Sequence, residues 1–138
     1  MKYKIAFVCI HNSARSQMAE GFAKHLGADI LESYSAGTEE YPEIKPFAVK
    51  VMEEIGIPIK NQYPKLLKEI PEDIDILITM GCGVVCPYMP VQYEEDWGLD
   101  DPSGGSIKDF RETRNLIENK VKDLIERIKK RDIIIDKK

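Results

Sequence analysis

The sequence predicts an α/β fold in which a parallel sheet is covered on both faces, and three observations carry that prediction. Two apolar runs, Ile5-Ala6-Phe7-Val8 and Ile74-Asp75-Ile76-Leu77-Ile78-Thr79-Met80, are too hydrophobic for strands that keep one face in water. The segments between and after them carry the three-four apolar spacing of helices, and strands that alternate with helices need crossover connections. The length of 138 residues suits one domain over 1–138, with a proper core and no room for two comfortable ones.

A first strand is expected over Lys4 to Val8. It is followed by the loop Cys9-Ile10-His11-Asn12-Ser13-Ala14-Arg15-Ser16 and a helix whose buried face is Met18, Ala19, Phe22 and Leu26, ending at Gly27. Ile30 to Ser35 reads as a second strand, closed by Ala36-Gly37. Pro46 opens a second helix with Ala48, Val51, Met52 and Ile55 on one face and Gly56 as its cap. Pro58, Pro64 and Pro71 keep the next connection mostly non-helical, with room for a turn or two over Lys65 to Glu69. The third strand is the run from Ile74, and a short fourth is expected over Tyr93 to Leu99. Ser106 caps the last helix, whose face is Ile107, Phe110, Ile117, Val121, Leu124 and Ile128. The apolar tail Ile133-Ile134-Ile135 packs on the domain or at a dimer contact.

Composition is that of a water-soluble domain, 43% hydrophobic and 32% charged. A net charge of −4 argues against a nucleic-acid or membrane-surface role, so any positive field is local. No leading stretch has the apolar core of a signal peptide, and no run reaches membrane-spanning length. Three cysteines, an odd number, do not make a secreted disulfide framework, and the cytoplasm is the expected compartment.

The loop from Cys9 carries the chemistry. A cysteine stands where a strand stops, and an arginine six positions later stands where a helix starts. Backbone N–H groups of Ile10, His11, Asn12, Ser13, Ala14 and Arg15 can turn inward, and the helix N-terminus adds a positive dipole. Arg15 can grip two oxygens as a planar fork, which a lysine could not do. The same donors, with a hydrogen bond from Ser16, favour the thiolate of Cys9. The whole is a cradle for a tetrahedral oxyanion with a nucleophile at its floor. The plain alternative makes Cys9 a small buried hydrophobe and Arg15 a surface residue, but the strand–loop–helix setting favours the functional reading. His11 invites a general-base role; a cradle that already stabilises the thiolate needs none, so His11 is read as a loop residue.

In parallel sheets ligands bind beyond the carboxyl ends of the strands. The other two cysteines, Cys82 and Cys86, stand directly after the third strand. If the first and third strands are neighbours, their ends lie roughly 5 Å apart. One helical turn would put Cys82 and Cys86 roughly 6 Å apart, within disulfide reach. Gly81 and Gly83 let such a loop rearrange. One thiol can then attack, a second resolve and a third take over the disulfide. A C-x3-C pair with no second pair or nearby histidine is poor zinc spacing, so no metal is expected, while plain packing is the other alternative. Asp100 and Asp101 precede Pro102, and either could act as general acid by type.

These residues resemble a known family. Cys9 to Ser16, Gln17-Met18-Ala19-Glu20-Gly21, Ser35-Ala36-Gly37-Thr38, the Cys82/Cys86 segment and Trp97 to Gly104 look like arsenate reductases built on the low-molecular-weight tyrosine phosphatase fold. The resemblance covers nearly the whole chain. It implies a three-layer sandwich with a four-stranded parallel sheet flanked by helices. It implies that Asp101 is the acid and that Asn12, Glu20 and Ser35 support the loop. Cys9 would attack arsenate, Cys82 would resolve the adduct, and Cys86 would move the disulfide outward to thioredoxin, without metal or flavin. The spacer between Cys82 and Cys86 is three residues, shorter than in thioredoxin-coupled members. Some members bind potassium through residues matching Asn12, Glu20 and Ser35 and a downstream aspartate. Lys65 stands at that last position, so potassium independence is expected.

The runner-up is a phosphatase that hydrolyses phosphate monoesters through a Cys9 phosphocysteine, which needs only Cys9, Arg15 and Asp101. A thiol-sensing or oxyanion-binding module without turnover is a third reading. The requirement for Cys82 and Cys86 separates the first reading from the second.

Overall fold

A computed structural model describes residues 2–39, 41–80, 91–133 and 135. The elements run β1 (Tyr3–Cys9), α1 (Arg15–Leu26), β2 (Leu31–Gly37), α2 (Pro46–Glu53), a 3-10 turn (Leu67–Glu69), β3 (Ile76–Thr79), β4 (Tyr93–Asp96) and α3 (Ile107–Lys129). The four strands form one parallel sheet in the order β2-β1-β3-β4. β1 is central and buried from Ile5 to Cys9, as a strand covered on both faces must be. β4 is one edge, opposite β2, and alternates between half-buried and exposed residues.

The two layers covering the sheet are unequal. On one face Ile5, Phe7, Ile76 and Ile78 pack with Met18 and Phe22 of α1, Val51 and Met52 of α2, and Ile117, Val121 and Leu124 of α3. Among the described residues, Ala6, Val8, Ala36 and Leu77 on the other face meet Ile70 and Ile74, with Leu67 of the 3-10 turn alongside. The tail closes onto the larger core, with Ile133 and Ile135 both buried there.

The expected elements are present, with shifted ends. β3 and β4 are shorter than the apolar runs suggest, although pairing continues past them: Leu99 N–H donates to Met80 O at 2.8 Å. α2 stops at Glu53, which leaves Ile55 39% exposed instead of on the buried face. Gly56 then takes a left-handed φ of 79°, and the N–H groups of Gly56 and Ile57 bond back to Glu53 O and Met52 O. That is the hydrogen-bond pair of a glycine-terminated helix, and a side chain at Gly56 would be strained there.

Candidate active site

β1 and β3 are neighbours, and the chain turns away from the sheet centre at the end of β1, so Cys9 lies at a switch point of strand order. The loop that follows is held from outside by its carbonyls. Thr38 N–H donates to Cys9 O, Glu39 N–H to Ile10 O, Lys45 N–H to Ser13 O, and Gln17 Nε2 to Asn12 O. No peptide bond among the described residues is cis. In a trans peptide the N–H points opposite to the C=O. The N–H groups of Ile10, His11, Ser13 and Ala14 therefore point away from those outer partners. They point toward a cavity of ≈ 40 Å³ lined by Cys9, Ile10, His11, Ser13, Ala14, Arg15 and Asp101. Gly37 permits this packing: a Cβ there would lie 2.7 Å from Ile10 O and 2.9 Å from the His11 carbonyl carbon.

α1 begins at Arg15 with Ala14 as its N-cap, and no side chain caps it. Its first N–H groups thus remain available to an anion. Arg15 is 4% exposed. Its Nη1 donates to Leu99 O at 2.8 Å and Met80 O at 3.3 Å, and its Nη2 lies 3.9 Å from Asp101 Oδ2. A buried guanidinium facing two neutral carbonyls and one distant carboxylate is only partly compensated, and an entering oxyanion completes it.

The Cys9 Sγ lies 2.8 Å from Ser16 Oγ. Asn12 Nδ2 donates to the same oxygen at 2.7 Å, which leaves the Ser16 hydroxyl hydrogen free to point at sulfur. Asn12 adopts a left-handed φ of 55°, a conformation asparagine tolerates better than most residues. His11 turns its ring outward, its Nε2 3.2 Å from Glu39 and its ring 4.8 Å from that of Tyr41, as a loop residue would.

Of the two adjacent aspartates, Asp101 and not Asp100 lines the loop cavity. Burial pushes its carboxyl up, but hydrogen bonds from Ser103 and the charges of Arg15 and His11 outweigh that and hold it below its ordinary value. Asp101 is therefore ionised at neutral pH.

Glu20 and Ser35 meet each other, with Ser35 Oγ donating to Glu20 Oε1 at 2.5 Å. Their link to the loop runs through Lys65, whose backbone N–H donates to Asn12 Oδ1 at 2.9 Å and whose Nζ lies 3.7 Å from Glu20 Oε1. Lys24 Nζ faces the other Glu20 oxygen at 2.5 Å. Burial lowers the Lys65 pKa, with the Glu20 charge opposing that shift. A potassium ion does not fit these residues, because Lys24 and the Ser35 hydroxyl hold the two Glu20 oxygens and the Lys65 ammonium already places a second positive charge beside them.

Cys82 and Cys86 fall in 81–90, outside the described residues. The register Val8↔Thr79 and the bond from Met80 N–H to Val8 O at 3.1 Å nevertheless bring residue 80 beside the end of β1. Two residues further the chain reaches at most about 7 Å. Gln17 and Gln62, neither of which was a predicted site residue, stand directly behind the loop. Gln17 is fully buried in the first turn of α1, which its residue type does not reveal, and nothing in the sequence singles out Gln62.

A buried thiol, a buried arginine and a carboxylate lining one small cavity at a helix start are the parts that a cysteine-based oxyanion site needs. Residues 4–85 and 81–133 match the model of the low molecular weight phosphotyrosine protein phosphatases, and the chain belongs to that family. It is 43% identical over 129 residues to the glutaredoxin arsenate reductase of Synechocystis sp., a match that covers 91% of this chain and 98% of that one. A solved arsenate reductase in its phosphate-binding state superimposes with a TM-score of 0.84 at 42% identity, over 93% of this chain and 99% of that one. The thioredoxin-dependent arsenate reductase of Corynebacterium glutamicum superimposes with a TM-score of 0.76 at 31% identity, over 93% of this chain and 62% of that one.

Proposed function

We propose that this chain, as a single domain over residues 1–138, reduces arsenate to arsenite by a relay of Cys9, Cys82 and Cys86. One observation supports the choice of reductase over phosphatase: β3 pairs with the strand that bears Cys9, and Cys82 and Cys86 follow β3 in the sequence. Ester hydrolysis has no use for that arrangement.

Arsenate enters as a hydrogen-bearing anion held by the loop N–H groups and Arg15. Asp101 takes a proton from the incoming acid once the anion offsets the Arg15 charge, and returns it to the departing oxygen. Cys9 sulfur bonds arsenic, and water leaves. Cys82 then attacks Cys9 sulfur; the arsenic–sulfur electron pair stays on arsenic, which departs as arsenite, and a Cys9–Cys82 disulfide forms. Cys86 attacks Cys82, frees Cys9 and leaves a Cys82–Cys86 disulfide for an external dithiol. The two electrons come from thiols, so the relay itself uses no metal or flavin.

Thioredoxin is the proposed reductant, as in the Corynebacterium relative; the Synechocystis relative's name points instead to glutaredoxin. The cytoplasm, where thiols stay reduced, is the proposed compartment. No helix among the described residues is long and apolar enough to cross a membrane. Lys65 supports potassium independence, with equal turnover expected in potassium and sodium chloride.

The test is arsenate-dependent NADPH consumption, supplied in parallel with thioredoxin plus thioredoxin reductase and with glutaredoxin, glutathione and glutathione reductase. Steady turnover is expected with thioredoxin. It is lost in Cys82→Ser and Cys86→Ser, while hydrolysis of a small aryl phosphate survives in both. No NADPH consumption in either system, with that hydrolysis intact, would make the chain a phosphatase.

A further inference from the structure

Behind the loop lies a chain of side-chain amides whose direction is fixed by backbone groups that cannot change their polarity. Tyr63 O and Asn12 O can only accept, and each lies 2.9 Å from Gln17 Nε2. The Gln17 amide nitrogen must face them, so its Oε1 faces away and accepts from Gln62 Nε2 at 2.7 Å. Gln62 Nε2 also donates to the Gln17 backbone carbonyl at 3.0 Å, which secures it at both ends. The Lys65 N–H can only donate, and it meets Asn12 Oδ1. Gln17 Nε2 also lies 2.9 Å from the same oxygen, sharing with it one of its two hydrogens. With its oxygen taken by two donors, Asn12 must turn its NH2 to Ser16, and Ser16 must accept there and donate to Cys9.

Gln17 is fully buried and Asn12 likewise, so neither amide has water as an alternative partner. Gln17 also holds the Asn12 carbonyl outward, which turns the Ser13 N–H toward the oxyanion cavity. It touches neither substrate nor sulfur. We propose that Gln17, secured by Gln62, is a positioning residue that, together with the Lys65 N–H, holds the hydrogen-bond direction of Asn12 and Ser16 and so keeps the Cys9 thiolate supplied with a donor. Without it the Asn12 oxygen keeps only the Lys65 N–H and the Asn12 carbonyl loses its outer donor, so the amide is held less firmly and the Ser16 hydroxyl hydrogen is less strictly directed at sulfur.

The inference rests on Cys9 being the nucleophile of the proposed relay, and its test reads Cys9 directly, without arsenate turnover. In a Cys82→Ser/Cys86→Ser background Cys9 is the only thiol left. The rate of its alkylation by iodoacetamide is followed against pH, with Gln17→Met and Gln62→Met as variants that keep volume and lose hydrogen bonding. The midpoint is expected to move upward by about one pH unit in Gln17→Met, the size of a lost hydrogen bond to a charged group, and by less in Gln62→Met. An unchanged midpoint in a folded Gln17→Met protein would overturn the proposal. If Gln17→Met does not fold, Gln62→Met decides: an upward shift supports the proposal and an unmoved midpoint overturns it. A failed arsenate assay with the shift present would leave this inference standing and remove only the reductase reading.

Discussion

α1 and α3 begin and end their work in opposite ways. At the start of α3, Ser106 Oγ accepts from Asp109 N–H and Asp109 Oδ2 accepts from Ser106 N–H, a reciprocal cap that satisfies its first turn internally. α1 starts at Ala14 with no side-chain cap. Their arginines differ likewise. Arg127 of α3 forks onto Glu95 with Nη1 at 2.8 Å and Nη2 at 3.0 Å, while Arg15 of α1 stays 3.9 Å from Asp101. α3 spends its polar groups on the protein itself, whereas α1 leaves donors and a buried cation open to an outside anion.

The largest effect expected from breaking this contrast is at the open end. Arg15→Lys removes the planar fork, and kcat/KM for arsenate should fall by roughly 10²–10³-fold, the usual range for losing one oriented donor to a developing charge. Steady-state kinetics against arsenate and an aryl phosphate check this, and both substrates should suffer together. Next comes Asp101→Asn, which should slow the first, adduct-forming step by about 10²-fold while leaving oxyanion binding, measured as phosphate inhibition, intact or tighter.

The closed end should behave in reverse. Ser106→Ala should lower unfolding stability by about 1 kcal/mol in urea titration, with kcat/KM unchanged. Activity lost in step with stability would erase the distinction between the two helices. The smallest effect concerns Glu95, whose carboxyl is pulled down to about 2, chiefly by its hydrogen bonds from Arg127. A carboxyl depressed on folding stabilises the protein above its unfolded value near 4.5 and loses that contribution as pH falls toward 2. Glu95→Gln should therefore be less stable than wild type at pH 7, by at most about 1 kcal/mol for a partly exposed pair. The gap should narrow steadily between about pH 4.5 and 2.

The same contrast explains what could be read from the amino-acid order. α3 was legible because Ser106 and its three-four apolar spacing are local signals, and so was β1 with the loop that ends in Arg15. The boundaries of α2 and β3 were less so: nothing in Ile55 reveals that the helix stops two residues earlier and leaves it at the surface. The loop's donors were foreseeable, since a strand, a cysteine and a helix start define them. What directs those donors was not, because Thr38, Lys45, Gln62 and Lys65 reach the loop only through tertiary contacts at large separations along the chain. Lys65 was expected to take a cation's place, but its backbone bond to Asn12 could not be read from its side chain.

The most direct test of the account is to trap the first disulfide. Cys86→Ser protein, fully reduced, is mixed with one equivalent of arsenate, and its thiols and disulfides are mapped by mass spectrometry while arsenite is quantified. The account predicts one Cys9–Cys82 disulfide and one arsenite per chain, and neither product when phosphate replaces arsenate. Recovery of free thiols at Cys9 and Cys82 with no arsenite formed would contradict it.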